Sequence, residues 1–134
     1  MKTHEIELEI AEADKAINAN DFDRLMGFYT SDAALVVTPE KIVKGHRDIK
    51  QAHKRISDYF NNSLSVSQGD MVVVEAGDTA LVLAKTILES PEKDDLMYTG
   101  VRDAIYVYRK DEVGKWRCAI DNSYGMKLLG SNIQ

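Results

Sequence analysis

The sequence predicts an α+β fold in which N-terminal helices cover one face of a mainly antiparallel sheet. Two observations carry this. Apolar residues recur at helical spacing only as far as Phe60, and from Leu64 onward the period switches to two. Helices first and strands afterwards is the order of an α+β design, where a parallel sheet would alternate the two. The longest period-two run is the last hairpin, Tyr98 to Gly125, built around Ala104, Ile105, Tyr106, Val107 and Tyr108. Its β-branched and aromatic content suits a pleated, half-buried surface.

The elements follow in order. Ile6, Ile10, Ala13 and Ile17 share one helical stripe, which predicts a first helix over residues 5 to 18 with Asp14 beside the stripe. Asn18-Ala19-Asn20 breaks it, and Asp21 is placed to cap a short second helix that buries Phe22, Leu25, Met26 and Tyr29. Ala33 to Val37 reads as a buried strand stopped by Pro39, and Ile42 and Val43 as a short return. After Gly45 a third helix is expected from about Arg47 to Phe60, with Ile49, His53, Ile56 and Phe60 on one face. His53 is the ionisable member of that face. Strands follow through Met71 to Glu75 and Thr79 to Leu88. Gly69 and Ala76-Gly77-Asp78 punctuate them, and Ser90-Pro91-Glu92-Lys93-Asp94-Asp95 makes a polar loop. In the last hairpin Asp111-Glu112-Val113-Gly114 supplies the turn and Lys115 to Ser123 the second strand.

Composition narrows the function. A chain of 134 residues with 44% hydrophobic content suits one domain, 1–134, around one core. A net charge of -5 argues against nucleic acid or an anionic membrane as partner, since both need a basic surface. Lys41, Lys44, Arg47, Lys50, Lys54 and Arg55 do cluster, and read as a solvated helix face. Cys118 is the single cysteine, so neither a disulfide framework nor a cysteine metal cluster is expected. The acidic N-terminus lacks the apolar core of a signal peptide, and no run reaches membrane-spanning length, which predicts a cytoplasmic protein. The phosphate-loop, dinucleotide and zinc-hydrolase motifs are absent, and His46 and His53 lie roughly 10 Å apart along a helix. No metal and no cofactor is expected.

Strict alternation along the strands divides the sheet into two faces. One face would carry Val82, Ala84, Leu88, Val101, Ile105, Val107, Trp116, Cys118 and Ile120, with Asp103 as a solvent-facing or dimer-face charge. That is too much apolar surface to leave in water, and it predicts a homodimer through the sheet.

The run AINANDFDRLMGFYTSDAALVVTPEKIVKGHRDIKQAHKRI, followed by strands ending in GKWRCAIDNS, resembles the NTF2-like superfamily and within it the SnoaL-like and DUF4440 group. The matching features are Asn20-Asp21 opening the second helix, Tyr29 before Asp32-Ala33, Gly45 before the third helix, and Gly114-Lys115-Trp116 opening the last strand. The resemblance implies a cystatin-like cone: three N-terminal helices packed on a curved sheet whose open end is a pocket for a small organic molecule. It also implies pairing of two copies through the sheet. Ketosteroid isomerase, in the same superfamily, uses a carboxylate base, a tyrosine and a protonated aspartate. Those positions fall here on Val37 or Thr38, on Ala13 or Asp14, and near Tyr106, so its residues are not kept.

Carried over by position, the resemblance places His53, Asp121 and Tyr106 as candidate catalytic groups. The expected pocket draws on Asp14 from the helix wheel, on Lys85 and Arg102 from the hairpin register, and on Tyr29, Thr38, His53, Phe60, Tyr106, Ala119, Asp121 and Ser123. Lys85 is expected opposite Arg102, and His53 within reach of Asp121 or Tyr106. A histidine, an aspartate and a tyrosine around one cavity suit general acid–base chemistry of the isomerase, cyclase or dehydratase type. The other reading is a non-catalytic dimeric module for ligand binding or association, in which His53 is a core histidine satisfied by its neighbours.

Overall fold

The structure, a computed structural model, describes residues 3–92 and 99–130. Tyr98 and the Lys93-Asp94-Asp95 part of the expected polar loop lie outside the described residues. Helix α1 (Glu5–Asn18) begins with a capping box. The His4 ring accepts from the Ile6 N–H at 3.0 Å, and the Glu7 carboxylate accepts from the His4 N–H at 2.9 Å. Asn20, at φ 56°, ends the helix and turns the chain into α2 (Phe22–Met26), which Asp21 caps through the Arg24 N–H. Helix α3 (His46–Tyr59) follows Gly45, whose φ of 84° lies in the left-handed region that glycine reaches without strain.

Among the described residues six strands form one curved sheet: β1 (Tyr29–Thr38), β2 (Lys41–Lys44), β3 (Ser65–Ala76), β4 (Thr79–Glu89), β5 (Gly100–Lys110) and β6 (Trp116–Asn122). Their order is β2-β1-β6-β5-β4-β3. All neighbours are antiparallel except β1 and β6, which run parallel. Helix α1 packs on β3 and β6, and α3 on β1. The core between these layers holds Ile6, Leu25, Ile49, Val82 and Trp116, each at most 2% exposed. Among the described residues no helix is long and apolar enough to cross a membrane.

Two features of the sheet differ from the expected division of its faces. Between β5 and β6, Val107 pairs with Ile120 but Tyr108 pairs with Cys118, so Ala119 is a bulged residue without a partner across the ladder. The bulge reverses parity along β6. Trp116 and Cys118 point into the core and Ile120 points out, so the expectation that all three share the outer face holds only for Ile120. Between β4 and β5, Val82 faces Tyr106 and Ala84 faces Ala104; cross-strand partners share a face, so Val82 and Ala84 are interior residues, not outer ones. The outer face instead presents Val72, Val74, Leu81, Leu83, Val101 and Ile120, all more than 40% exposed.

After β6 the buried Asn122 side chain accepts from the N–H groups of Tyr124 (3.1 Å) and Gly125 (2.9 Å) and donates to the Gly125 carbonyl at 3.2 Å. Gly125 sits at φ 58°, and a Cβ there would lie 2.0 Å from the Asp103 carbonyl oxygen. Only glycine permits this close return of the chain onto β5, which continues into a 3-10 turn, Gly125–Gly130.

Candidate functional site

The helices do not fill the concavity of the sheet. A cavity of about 300 Å³ remains between α1, α3 and the inner faces of β1, β3, β4, β5 and β6. Its walls are mainly apolar, with Ile10, Ile17, Leu35, Ile56, Phe60 and Leu88 among them, and two chains of hydrogen bonds run through its polar groups.

The first chain runs through Tyr29, at the start of β1. Its hydroxyl donates to the Asp121 carboxylate at 2.6 Å and lies 3.0 Å from His53 Nε2. A phenol has one hydrogen, and Asp121 receives it, so Nε2 carries the hydrogen that His53 donates to the Tyr29 oxygen. The second chain starts at Tyr106 on β5, whose hydroxyl meets Thr86 Oγ1 at 2.6 Å. Thr86 donates to Gln68 Oε1 at 2.9 Å, and the Gln68 amide donates to Asp14 Oδ2 at 3.1 Å. Because the Thr86 hydrogen is committed to Gln68, Tyr106 is the donor to Thr86. Each chain thus ends on a carboxylate that accepts, one on α1 and one on β6.

Burial dominates the electrostatics. It pushes Asp14 up to about 7; the Gln68 hydrogen bond opposes the shift, and the charge of Asp121 adds to it. Burial also raises Asp121, partly offset by the Tyr29 hydrogen bond and the Arg102 charge. His53 is pushed down to about 4 by burial, so its imidazole is neutral at physiological pH. Burial likewise holds the hydroxyls of Tyr29, Tyr106 and Tyr108 and the Cys118 thiol above their ordinary ranges, which keeps all four protonated. Among the described residues no three His, Cys, Asp or Glu side chains come together as metal ligands would.

Of the residues expected at a pocket, Asp14, Tyr29, Thr38, His53, Phe60, Arg102, Tyr106, Asp121 and Ser123 line this cavity, and Lys85 and Ala119 do not. The β4–β5 register explains Lys85: it faces Asp103, with which it forms an ion pair on the outer side, and Thr86 takes the place opposite Arg102. The β6 bulge explains Ala119. His53 reaches Asp121 through Tyr29, and Tyr106 bonds to Thr86, so the expected direct contact of His53 with Asp121 or Tyr106 is replaced by a relay. The expectation missed Gln68, Thr86, Tyr108, Cys118 and Tyr124, which also line the cavity. A sequence signal did exist for one pair. Gln68 and Thr86 are polar residues at inward parity on facing strands, directly opposite one another. Trp116 is not among the residues that line the cavity, although it lies in the core and not on the outer face where it was expected.

No family model and no curated protein matches the sequence. Solved structures do match its shape. A protein of unknown function with a cystatin-like fold from Nostoc punctiforme is 19% identical, with a TM-score of 0.69 over 87% of this chain and 85% of that one. A protein from Streptomyces avermitilis, provisionally named a dehydratase of the NTF2-like family, is 18% identical with a TM-score of 0.71 over 87% and 90%. Another from Shewanella frigidimarina, provisionally named a ketosteroid isomerase, is 10% identical with a TM-score of 0.67 over 84% and 89%. The fold is the cystatin-like fold of NTF2-like proteins, and the likeness extends to the fold alone.

Proposed function

We propose that the cone binds a small, mainly apolar organic molecule and transfers a proton at a carbon next to its carbonyl group, with Asp14 as the exchanging group. The observation that carries this reading is the Asp14 carboxyl, which lines an apolar cavity and is pushed by burial up to about 7. A general base or acid works best when its pKa lies close to the working pH, because both protonation states are then populated. Asp121 supports the role by keeping a second negative charge nearby, which makes Asp14 more basic. His53 is neutral and hands its hydrogen to Tyr29, so it acts as a positioning residue for Tyr29 and Asp121. The cavity is at the lower end of the roughly 300–1,000 Å³ typical of ligand pockets, which suits one or two rings better than four.

The test is hydrogen exchange. Small cyclic ketones and 3-oxo acids are incubated with the protein in D₂O, and loss of the C–H signal is followed by NMR. Wild type should accelerate exchange and Asp14→Asn should not, while keeping its circular dichroism. No acceleration across the panel by wild type ends the catalytic reading.

A second reading, a non-catalytic ligand-binding or association module, is favoured by one observation. The hydrogens of Tyr29 and Tyr106 are committed to Asp121 and Thr86, which leaves neither phenol as a ready donor to a developing oxyanion. Binding without exchange would select it. In either reading the protein works as a homodimer paired through the outer sheet face, because Val72, Val74, Leu81, Leu83, Val101 and Ile120 stand exposed there. A monomer by sedimentation at micromolar concentration ends the dimer part.

A further inference from the structure

Proton transfer at Asp14 has one unmet requirement. As the C–H bond breaks, negative charge grows on the ligand's carbonyl oxygen, and the hydrogens of Tyr29 and Tyr106 are already given to Asp121 and Thr86. Gln68, which lines the cavity beside Asp14, has a hydrogen to give. Its amide is oriented by its neighbours. Thr86 donates to Oε1 at 2.9 Å and a carboxylate only accepts, so the oxygen is turned to Thr86 and Nε2 to Asp14 Oδ2, at 3.1 Å. An amide nitrogen carries two hydrogens, and Asp14 takes one. Among the described residues nothing accepts the other, and nothing donates to Asp14 Oδ1. No buried side-chain oxygen or nitrogen among them is left without a partner, so Oδ1 is not sealed into the packing. Helix α1 and the β3–β4 ladder thus hold a neutral donor and an acceptor side by side on the wall of a mainly apolar chamber.

We propose that Gln68 is a catalytic residue whose second amide hydrogen binds the ligand's carbonyl oxygen and holds the neighbouring C–H against Asp14 Oδ1, an inference that rests on the proton-transfer reading. The C–H bond breaks, the proton passes to Asp14 Oδ1, and the electron pair left on carbon delocalises onto the carbonyl oxygen. There the Gln68 hydrogen bond strengthens as the charge grows, which is where a donor lowers the barrier. Return of the proton from Asp14 to carbon restores the carbonyl, so no further reactant is needed. The chain behind Gln68 adds to the effect: Tyr106 donates to Thr86 and Thr86 to Oε1, and each bond polarises the next toward the free N–H. A neutral amide also suits the place better than a cation, because a lysine or arginine so close would hold Asp14 ionised and make it a weaker base.

The experiment follows cyclohexanone with the full-length chain by two readouts: deuterium exchange next to its carbonyl from about pH 5 to about pH 9, and the infrared frequency of its isotope-labelled carbonyl when bound. In wild type the exchange rate should rise with pH through the Asp14 value and then level off. In Gln68→Met the rise should move to higher pH, because the hydrogen bond that lowers Asp14 is gone, and the plateau should fall at least tenfold. The bound carbonyl, having lost its donor, should absorb at higher frequency than in wild type. A residue that only tuned Asp14 would move the rise and keep the plateau. That result, or an unchanged carbonyl frequency, overturns the donor role and leaves Asp14 standing as the exchanging group. A wild type that does not accelerate exchange, whether or not cyclohexanone binds, ends the proton-transfer reading and the catalytic role of Gln68 together. Should Gln68→Met not fold, Gln68→Glu takes its place, since it keeps an acceptor for Thr86 and removes both amide hydrogens. The same plateau loss is expected, and a retained plateau counts against the proposal.

Discussion

The two faces of strand β5 invert the usual distribution of polarity in a small protein. Inward it presents Arg102, Ala104, Tyr106 and Tyr108, and outward Val101, Asp103, Ile105 and Val107. The side that faces the helices carries a cation and two phenols, while the side that faces solvent is largely aliphatic. Interior polarity has to be bonded or it destabilises the fold, and here Tyr106 is bonded into the chain that ends on Asp14 and Arg102 donates to Ser123. Exterior aliphatic surface has no such internal solution. The difference is what the proposed reading rests on: an inner face that takes a ligand and an outer face that takes a second copy of the chain.

The largest effect that tests this division is expected at Trp116, which the bulge at Ala119 turns inward. Trp116→Ala should cost about 3–5 kcal/mol by denaturant unfolding. A loss under about 1 kcal/mol would return the residue to the periphery and undo the assigned parity of β6. Next comes Tyr29→Phe, which deprives Asp121 of its donor and His53 of its acceptor at once. A loss of about 1–3 kcal/mol is expected, and an unchanged unfolding midpoint would mean that the relay contributes nothing.

Asp14 gives a smaller effect of opposite sign that depends on pH. Its folded value of about 7 lies above the ordinary 3.8, so the folded state holds more protons between those values and stability falls as pH rises through that window. Asp14→Asn should therefore stabilise the protein at pH 8, on the order of 1–2 kcal/mol, and change little near pH 4. His53 runs the other way. Its folded value of about 4 lies below 6.5, so stability is lost as pH falls through that interval. Paired thermal melts of wild type and Asp14→Asn at pH 4 and pH 8 check the sign, and equal shifts at both would contradict it. The smallest effect on the isolated fold belongs to the outer face. Leu83→Glu should leave protomer stability within about 0.5 kcal/mol while converting the proposed dimer to monomer in sedimentation, and a wild type that is already monomeric ends that part of the reading.

Much of the fold could be read in the sequence because it depends on local chemistry. The helical stripe of Ile6, Ile10 and Ile17, the Asp21 cap, the stop at Pro39 and the turn at Gly114 each follow from a few neighbouring residues. What escaped depends on pairing between distant segments. The extra residue at Ala119 is an alanine between two β-formers, and nothing about it marks a bulge, yet it flips Trp116 and Cys118 while leaving Asp121 inward. Lys85 was misplaced by a single step of register, since the hairpin geometry after Leu88 decides whether Lys85 or Thr86 meets Arg102. His53 could be placed on the buried face of α3 from spacing alone. Its partner could not, because Tyr29 belongs to another element and Asp121 to a third.

The parallel pairing of β1 with β6 has a consequence for how the protein comes into being. Tyr29 lies opposite Cys118, and its hydroxyl bond to Asp121 spans 92 residues of chain. Contacts of such separation close late, because a long loop must be ordered before they form. During synthesis β1 emerges early and waits with one edge unpaired, apart from its short return β2, until the last strand leaves the ribosome. Asp121 then enters the interior in the same event that completes the sheet. An incomplete chain has neither the completed sheet nor the buried Asp121, and an unpaired edge of β1 is open to pairing with other strands.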